Sequence, residues 1–409
     1  MSATTEIVLR DPQLKANPYP LFARLRRESP VCRARGITRN FWLVTRYDDV
    51  LFVLQDNRFA ADRRNAPLPP RGLIERLIFQ IYGPILRNML GRDDPDHGRL
   101  RGLVQQAFTP RRVAELRARV EELTNANLDL VARRGEWDLI ADYALPLPVT
   151  VISEMLGVPE SDRARFHQRS DTLVRSFGSS LPRMLRQAPN MFAFVSYIRS
   201  MVKLRRKRPK DDLISALVMA EEAGDRLTED ELVSMILLLL VAGHETTVNL
   251  IGNGVLALLE NPRQMEKLLE NPALIPLAVE EFARYYSPVD YTNARFTRCG
   301  VSVAGIEIPA GQGVMACLSS ANRDESKFDR PDDLNIARDP NRHLAFGQGS
   351  HHCLGVFLAR LEAQVAFTTL LRRCPELRLA IPRESLRWRQ SFLLRGLQAL
   401  PVCPGPGAA

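Results

Sequence analysis

The sequence predicts a mainly α protein with small β-sheets, an α+β arrangement, and three observations carry that prediction. From Thr228 to Asn261 no strong breaker interrupts a helical pattern, a span of roughly 50 Å at helical rise. From Thr109 to Lys210 apolar residues recur with helical period, pausing only at Pro146-Leu147-Pro148, at Pro159 and between Gly178 and Asn190. Strand-like runs are short and lie near 30–45, 294–316 and 385–403, so any sheets are small.

Length and composition narrow the classes. The 409 residues, 45% hydrophobic, read as a single domain over 1–409 with ample material for a core. The most apolar run, Met235 to Gly243, meets His244 and Glu245 before reaching the length of a membrane span. The N-terminus lacks both a charged start and an apolar core, so neither signal peptide nor membrane anchor is expected, and the reading is cytoplasmic. Cys32, Cys299, Cys317, Cys353, Cys374 and Cys403 show no disulfide pattern and suit a reducing compartment. The net charge of +9 is densest from Lys203 to Lys210, a helix end without interleaved aromatics, which reads as a solvated face and not as a nucleic-acid site. Positive charge also suits docking of a small acidic protein.

Taken in order, the elements are these. Pro18 to Ser29 is a Pro-started helix with Leu21, Phe22 and Leu25 on one face. Strand-like runs near Val31 to Ala34 and Phe41 to Val44 precede a helix over Asp48 to Gln55. Pro67 to Arg92 is a long apolar connection and a candidate pocket wall. Asp94-Pro95-Asp96 opens a helix carrying His97 and Arg101 on one face, able to grip one anion; a plain surface pair is the alternative. Val174 to Pro189 mixes apolar, small and basic residues, suiting a lid between two helices, and a further helical block covers Asp211 to Glu222. Thr228-Glu229-Asp230-Glu231 is a capping box that starts the central helix, which is apolar all round from Ile236 to Val241 and must be buried. Its middle holds Ala242-Gly243-His244-Glu245-Thr246-Thr247, where Gly243 would admit a bulky partner and Thr246 can turn to a ligand or to a helix carbonyl. Ala273 to Tyr286 is a helix with Glu281 and Arg284 on one face, by default a surface ion pair. Arg295 lies in an extended segment, Val301 to Pro309 alternates like a hairpin, Phe328 to Pro340 is coil containing Arg338, and Leu386 to Pro401 reads as strands.

Cys353 is the chemical focus. It stands in Phe346-Gly347-Gln348-Gly349-Ser350-His351-His352-Cys353-Leu354-Gly355, just before a helix over Val356 to Arg373 whose N-terminal charge favours a thiolate. A nucleophile would draw on His351 or His352, both too near in sequence for the usual base. A zinc site needs further ligands at short spacing, and the other cysteines are scattered. An axial thiolate to haem iron needs one Cys, room for a porphyrin and cations for its propionates. A buried structural Cys is the plain alternative.

Taken together, the Cys353 stretch, the Ala242 to Thr247 stretch, the Glu281/Arg284 pair and the His97/Arg101 pair resemble the cytochrome P450 family, in the order seen in its soluble bacterial members, and over essentially the whole chain. The resemblance implies that fold, with the long central helix over a haem b (iron protoporphyrin IX). It implies that Cys353 is the axial ligand of the iron, with Ala242, Gly243, Phe346, Gly347 and Gly355 against the cofactor. His97, Arg101, Arg295 and His351 would bind its propionates, while His352 fills a variable position. Glu281, Arg284 and Arg338 would form a buried triad that locks the coil, and Glu245 with Thr246 matches the acid-alcohol pair that supplies protons. Leu238, Val289, Tyr291, Phe392 and Leu393 are expected in the substrate pocket.

The activity so implied is insertion of one oxygen atom from O2 into a hydrophobic small molecule, by hydroxylation or epoxidation of a lipid, terpenoid, steroid or polyketide-like substrate. Electrons would come from a separate ferredoxin or flavodoxin-like donor with an NAD(P)H-dependent reductase, docking near Arg111 and Arg112, and the protein would act as a monomer. A peroxide-driven peroxygenase and a non-catalytic haem sensor are the alternatives.

Overall fold

The computed structural model describes residues 7–8, 11–35, 40–68, 72–73, 82–83, 87–131, 134–163, 165–166, 168–169, 181–222, 227–391 and 393–405, with backbone alone for 12, 13, 181–184, 221 and 222. The Glu229–Leu259 helix anchors the architecture, and its start is set locally. The Glu231 amide donates to the Thr228 hydroxyl at 3.2 Å while the Glu231 carboxylate accepts from the Thr228 amide at 2.9 Å, the reciprocal bonds of a capping box. From Leu232 to Leu240 every residue except Leu238 is buried, as a helix apolar all round requires. Helices Pro146–Leu156, Ile275–Tyr285 and Val356–Arg373 pack against it and share one large apolar core. Each fully buried Leu or Ile there contributes about 1.5–3 kcal/mol.

The strands are β1 (Ile7–Val8), β2 (Val31–Arg35), β3 (Asn40–Val44), β4 (Phe59–Ala60), β5 (Trp137–Asp138), β6 (Arg295–Thr297), β7 (Val301–Val303), β8 (Ile306–Ile308), β9 (Gly313–Ala316), β10 (Arg378–Leu379) and β11 (Pro401–Cys403). The larger sheet runs β1-β2-β3-β9-β6-β4, a smaller one runs β10-β11-β5, and β7 and β8 form an antiparallel hairpin as the alternation predicts. Pairing of Arg295 with Val314 places the start of β6 against β9 and so fixes where that arginine emerges.

Several expectations are corrected. The interruption at Pro146 falls where the Leu139–Ala144 turn of π-helix gives way to the Pro146–Leu156 helix, but Pro189 lies inside the Leu181–Lys207 helix, where a break was expected. Among the described residues between 386 and 400 there are only isolated bridges, Val289 with Leu394 and Trp388 with Leu397, because Arg389 and Gly396 close a turn that continues no ladder. Arg205, in the basic run, is buried against Asp212 and the Gly157 carbonyl. Leu139–Leu156 and Glu229–Leu259 are each long and apolar enough to cross a membrane, but 61% and 72% of them lies buried inside the protein. Most of the apolar connection after Pro67 and residues 174–180 of the expected lid lie outside the described residues; within them Tyr82 is buried in the core and Leu73 is exposed.

Candidate functional site

The Cys353 loop is shaped by glycine. Gly347 and Gly349 take positive φ of 68° and 76°, and the loop closes through Cys353 N–H to the Phe346 carbonyl at 2.9 Å. A Cβ on Gly349 would stand 2.7 Å from the Leu54 carbonyl oxygen, so the loop reaches the Tyr47–Gln55 helix only because no side chain is there. Burial pushes the Cys353 thiol up, offset in part by the Gly355 amide, Arg101 and Arg360.

Beside this loop the positive side chains gather. The His97 and His351 rings lie 4.2 Å apart. Burial takes His351 down to about 3, with Arg295, His97 and Arg101 adding to the shift. His97 is lowered by burial and by Arg101, against the opposing Asp94. Among the described residues neither Arg101 nor Arg295 makes an ion pair or side-chain hydrogen bond, although burial already works against the charge of Arg295. Arg101 and Arg295, with the two imidazole rings beside them, suit an anion with several oxygens.

The middle of the central helix is unlike the rest. Ala242 is exposed and Leu238, Val241, Gly243 and Thr246 are half-exposed, so one face of an otherwise buried helix borders open space. Leu238 and Val241 from that face and Phe346 and Leu354 from the Cys353 loop border the same core. The Thr246 hydroxyl donates to the Ala242 carbonyl at 2.9 Å. Glu245, 2% exposed, accepts from Arg389 Nη1 at 3.0 and 3.3 Å. A Cβ on Gly243 would meet Ile152 at 3.2 Å, so its bareness lets the Pro146–Leu156 helix approach.

Glu281, Arg284 and Arg338 do meet, and not at the surface. Glu281 and Arg284 have fully buried side chains joined at 2.7 Å, and Arg338 adds a bond to Glu281 at 3.1 Å. Arg284 also donates to the Asn322, Pro331 and Asp333 carbonyls, and Glu281 accepts from the Asn335 amide, which fastens the coil between 322 and 341 to the helix. Of the expected pocket residues, Leu238, Val289 and Leu393 are half-exposed, and Phe392 lies outside the described residues. Tyr291 is corrected: at 2% exposure it packs edge-on against Phe22 in a separate core with Cys317, so its ring lines no cavity.

Three participants escaped the sequence reading. Arg389 lies 144 residues from Glu245, with no local spacing to reveal the pair. Glu362, one helical side chain among many, is fully buried and pushed up to about 8 by burial, against a small opposing effect of Thr247. Glu280 is raised by burial, yet hydrogen bonds from His343 and Arg360 take it down to about 2.

A family model described as Cytochrome P450 matches residues 138–378. The chain is 47% identical over 387 residues to Cytochrome P450 107B1 of Saccharopolyspora erythraea, covering 94% of each chain. The chain belongs to the cytochrome P450 family. It is 42% identical to the polyketide biosynthesis cytochrome P450 PksS of Bacillus subtilis, over 94% of this chain and 95% of that one. The solved structure of PksS superposes with a TM-score of 0.89 over 97% of this chain and 99% of that chain. Mycinamicin IV hydroxylase/epoxidase of Micromonospora griseorubida is 41% identical over 93% of this chain and 94% of that one. The protein is thus a P450 monooxygenase, and the family's haem-thiolate cofactor fits its residues: Cys353 is a free cysteine in a glycine-shaped loop, the His97 and His351 rings meet beside that loop, and Arg101 and Arg295 act on both rings.

Proposed function

We propose that this P450 hydroxylates or epoxidises a polyketide-like or macrolide substrate, and that the exposed Ala242 and Thr246 face of the central helix carries the reading. In this reading the cofactor is haem b and Cys353 is the iron's axial ligand. His97, Arg101, Arg295 and His351 hold the propionates, and Phe346, Gly347 and Gly355 border the ring. Bound there, a haem-thiolate supplies dioxygen activation. The chain's own part is to deliver protons and exclude water. Thr246 turns its hydroxyl from the Ala242 carbonyl toward the cavity and hands on a proton that Glu245 replaces. Leu238, Val289 and Leu393 present apolar surface that seats the substrate. Support for the substrate class comes from the relatives, since PksS and the mycinamicin IV hydroxylase/epoxidase are so named.

Electrons come from a ferredoxin or flavodoxin-like donor with its NAD(P)H-dependent reductase. Arg111 and Arg112, both exposed beside an open groove with Leu116 and Met155, suit an acidic partner. We place the protein in the cytoplasm, as a monomer and a single domain over 1–409.

The deciding experiment joins two variants. Cys353→Ala should lose the strongly red-shifted band of the reduced, carbon monoxide-treated protein. Thr246→Ala should keep haem and substrate-induced spin shifts but divert reducing equivalents to peroxide. Retention of the band in the first, or wild-type coupling in the second, refutes the corresponding role. Turnover with hydrogen peroxide alone, and none with NAD(P)H and redox partners, would replace the reading with a peroxygenase. A panel of macrolides and other lipophilic compounds, scored by spin shift, tests the substrate class.

A further inference from the structure

Glu245 and Thr246 both spend their polar groups on partners within the protein. The threonine hydroxyl is given to its own helix and the glutamate carboxylate to Arg389. Arg389 is itself held: its amide donates to the Gly396 carbonyl at 2.8 Å and its Nε to the Leu397 carbonyl at 3.1 Å. The turn between them is pressed on the central helix. A Cβ on Gly396 would fall within 1.9 Å of Asn249 Oδ1, and the Asn253 amide donates to the Arg395 carbonyl at 3.0 Å. The same turn reaches the pocket side through the Asp290 amide, which donates to the Leu393 carbonyl at 2.8 Å, and through the bridge from Leu394 to Val289.

We propose that Arg389 is a positioning residue for the acid of the proton relay, holding Glu245 as a withdrawn carboxylate until the turn from Trp388 to Leu397 shifts. This rests on the relay reading of Glu245 and Thr246 above. The Arg389 side chain is 22% exposed and the Glu245 side chain 2%, so the guanidinium spans from the buried acid to the surface. When the pair opens, Glu245 takes a proton from solvent water and passes it to the Thr246 hydroxyl, whose own proton moves on into the cavity. Proton count is conserved, and Glu245 returns as a carboxylate to Arg389. The other titratable group facing Glu245 in the structure is His244, with Nε2 at 3.8 Å. A substrate seated against Leu393 touches the turn that holds Arg389, which ties proton delivery to occupancy.

The test uses haem-loaded protein and two readouts. The first is the infrared carboxyl stretch of Glu245, isolated by difference against Glu245→Gln. The second is coupling, with its solvent isotope effect. In Arg389→Gln the isolated band should move from its wild-type position, because the carboxylate loses the Arg389 Nη1 contacts at 3.0 and 3.3 Å. Coupling should fall several-fold and the isotope effect should rise, with the spin shift on substrate binding retained. Arg389→Lys should restore the wild-type band. Wild-type band and coupling in Arg389→Gln overturn the proposal and leave Arg389 a mere tie between turn and helix. If the glutamine variant fails to load haem, Arg389→Met, which keeps the aliphatic stem and removes the donor, decides: a raised isotope effect supports positioning, and a wild-type value refutes it. Unchanged coupling in Glu245→Gln would instead bring down the relay reading itself, whatever the Arg389 bands show.

Discussion

Glu362→Gln in the haem-loaded protein should raise stability at neutral and alkaline pH and flatten its pH dependence. Glu362 has no exposed surface in the Val356–Arg373 helix. Burial raises its carboxyl to about 8, and the Thr247 hydroxyl returns only part of that shift. In the unfolded chain a glutamate titrates near ~4.3. Between those two values the folded chain keeps a proton that the unfolded chain has released, so stability falls as pH rises through the window and is level outside it. Each unit corresponds to about 1.36 kcal/mol, so at pH 7 the penalty is on the order of 4 kcal/mol. Glutamine has the same shape and does not titrate. Urea unfolding at several pH values, followed by the far-ultraviolet circular dichroism of both proteins, isolates the effect as the difference between them. That difference should grow by about 1.4 kcal/mol per pH unit between roughly pH 5 and pH 8. A difference that stays constant across the window would refute the reasoning, because it would mean that Glu362 is ionised in the fold.

Other substitutions test the frame around the site. Glu281→Gln leaves Arg284 fully buried without its counter-charge and should cost about 3–5 kcal/mol in urea unfolding, with haem loss at lower denaturant; under about 1 kcal/mol would show that the coil is held otherwise. Gly349→Ala combines a φ of 76° with a Cβ at 2.7 Å from the Leu54 carbonyl, and should cost about 1–3 kcal/mol and lower the fraction of protein with the red-shifted carbon monoxide band. Arg360→Gln removes one of the two groups that hold Glu280 down to about 2. Since a depressed carboxylate contributes stability above its unfolded pKa and loses it as pH falls, this variant should be less stable at pH 7, with the deficit shrinking below about pH 4; a deficit that is unchanged in acid refutes the pairing.

The parts of the site readable in the sequence are those whose chemistry is encoded within a few residues. The glycines around Cys353 shape one loop, Thr228 and Glu231 cap one helix, and Glu281 and Arg284 share one face of another, so spacing alone brings each group together. His97, Arg101, Arg295 and His351 come from three segments, and only the resemblance joined them; the coordinates then bring the two rings to 4.2 Å with both arginines acting on them. What spacing could not reveal is which buried charge answers which. Ala273 to Tyr286 predicted a surface pair, yet Glu281 lies in the core because the coil between 322 and 341 covers it, and no local pattern records that coverage. Gly243 shows a related limit: a bare position admits whatever packs closest on its Cβ side, and here that is Ile152. Arg389 is the strongest instance. Its partner is a carboxylate 144 residues away, and Gly396, next to its turn partner, lies close against Asn249. The acid that the resemblance marks for proton delivery thus pairs with a residue that no local spacing singles out.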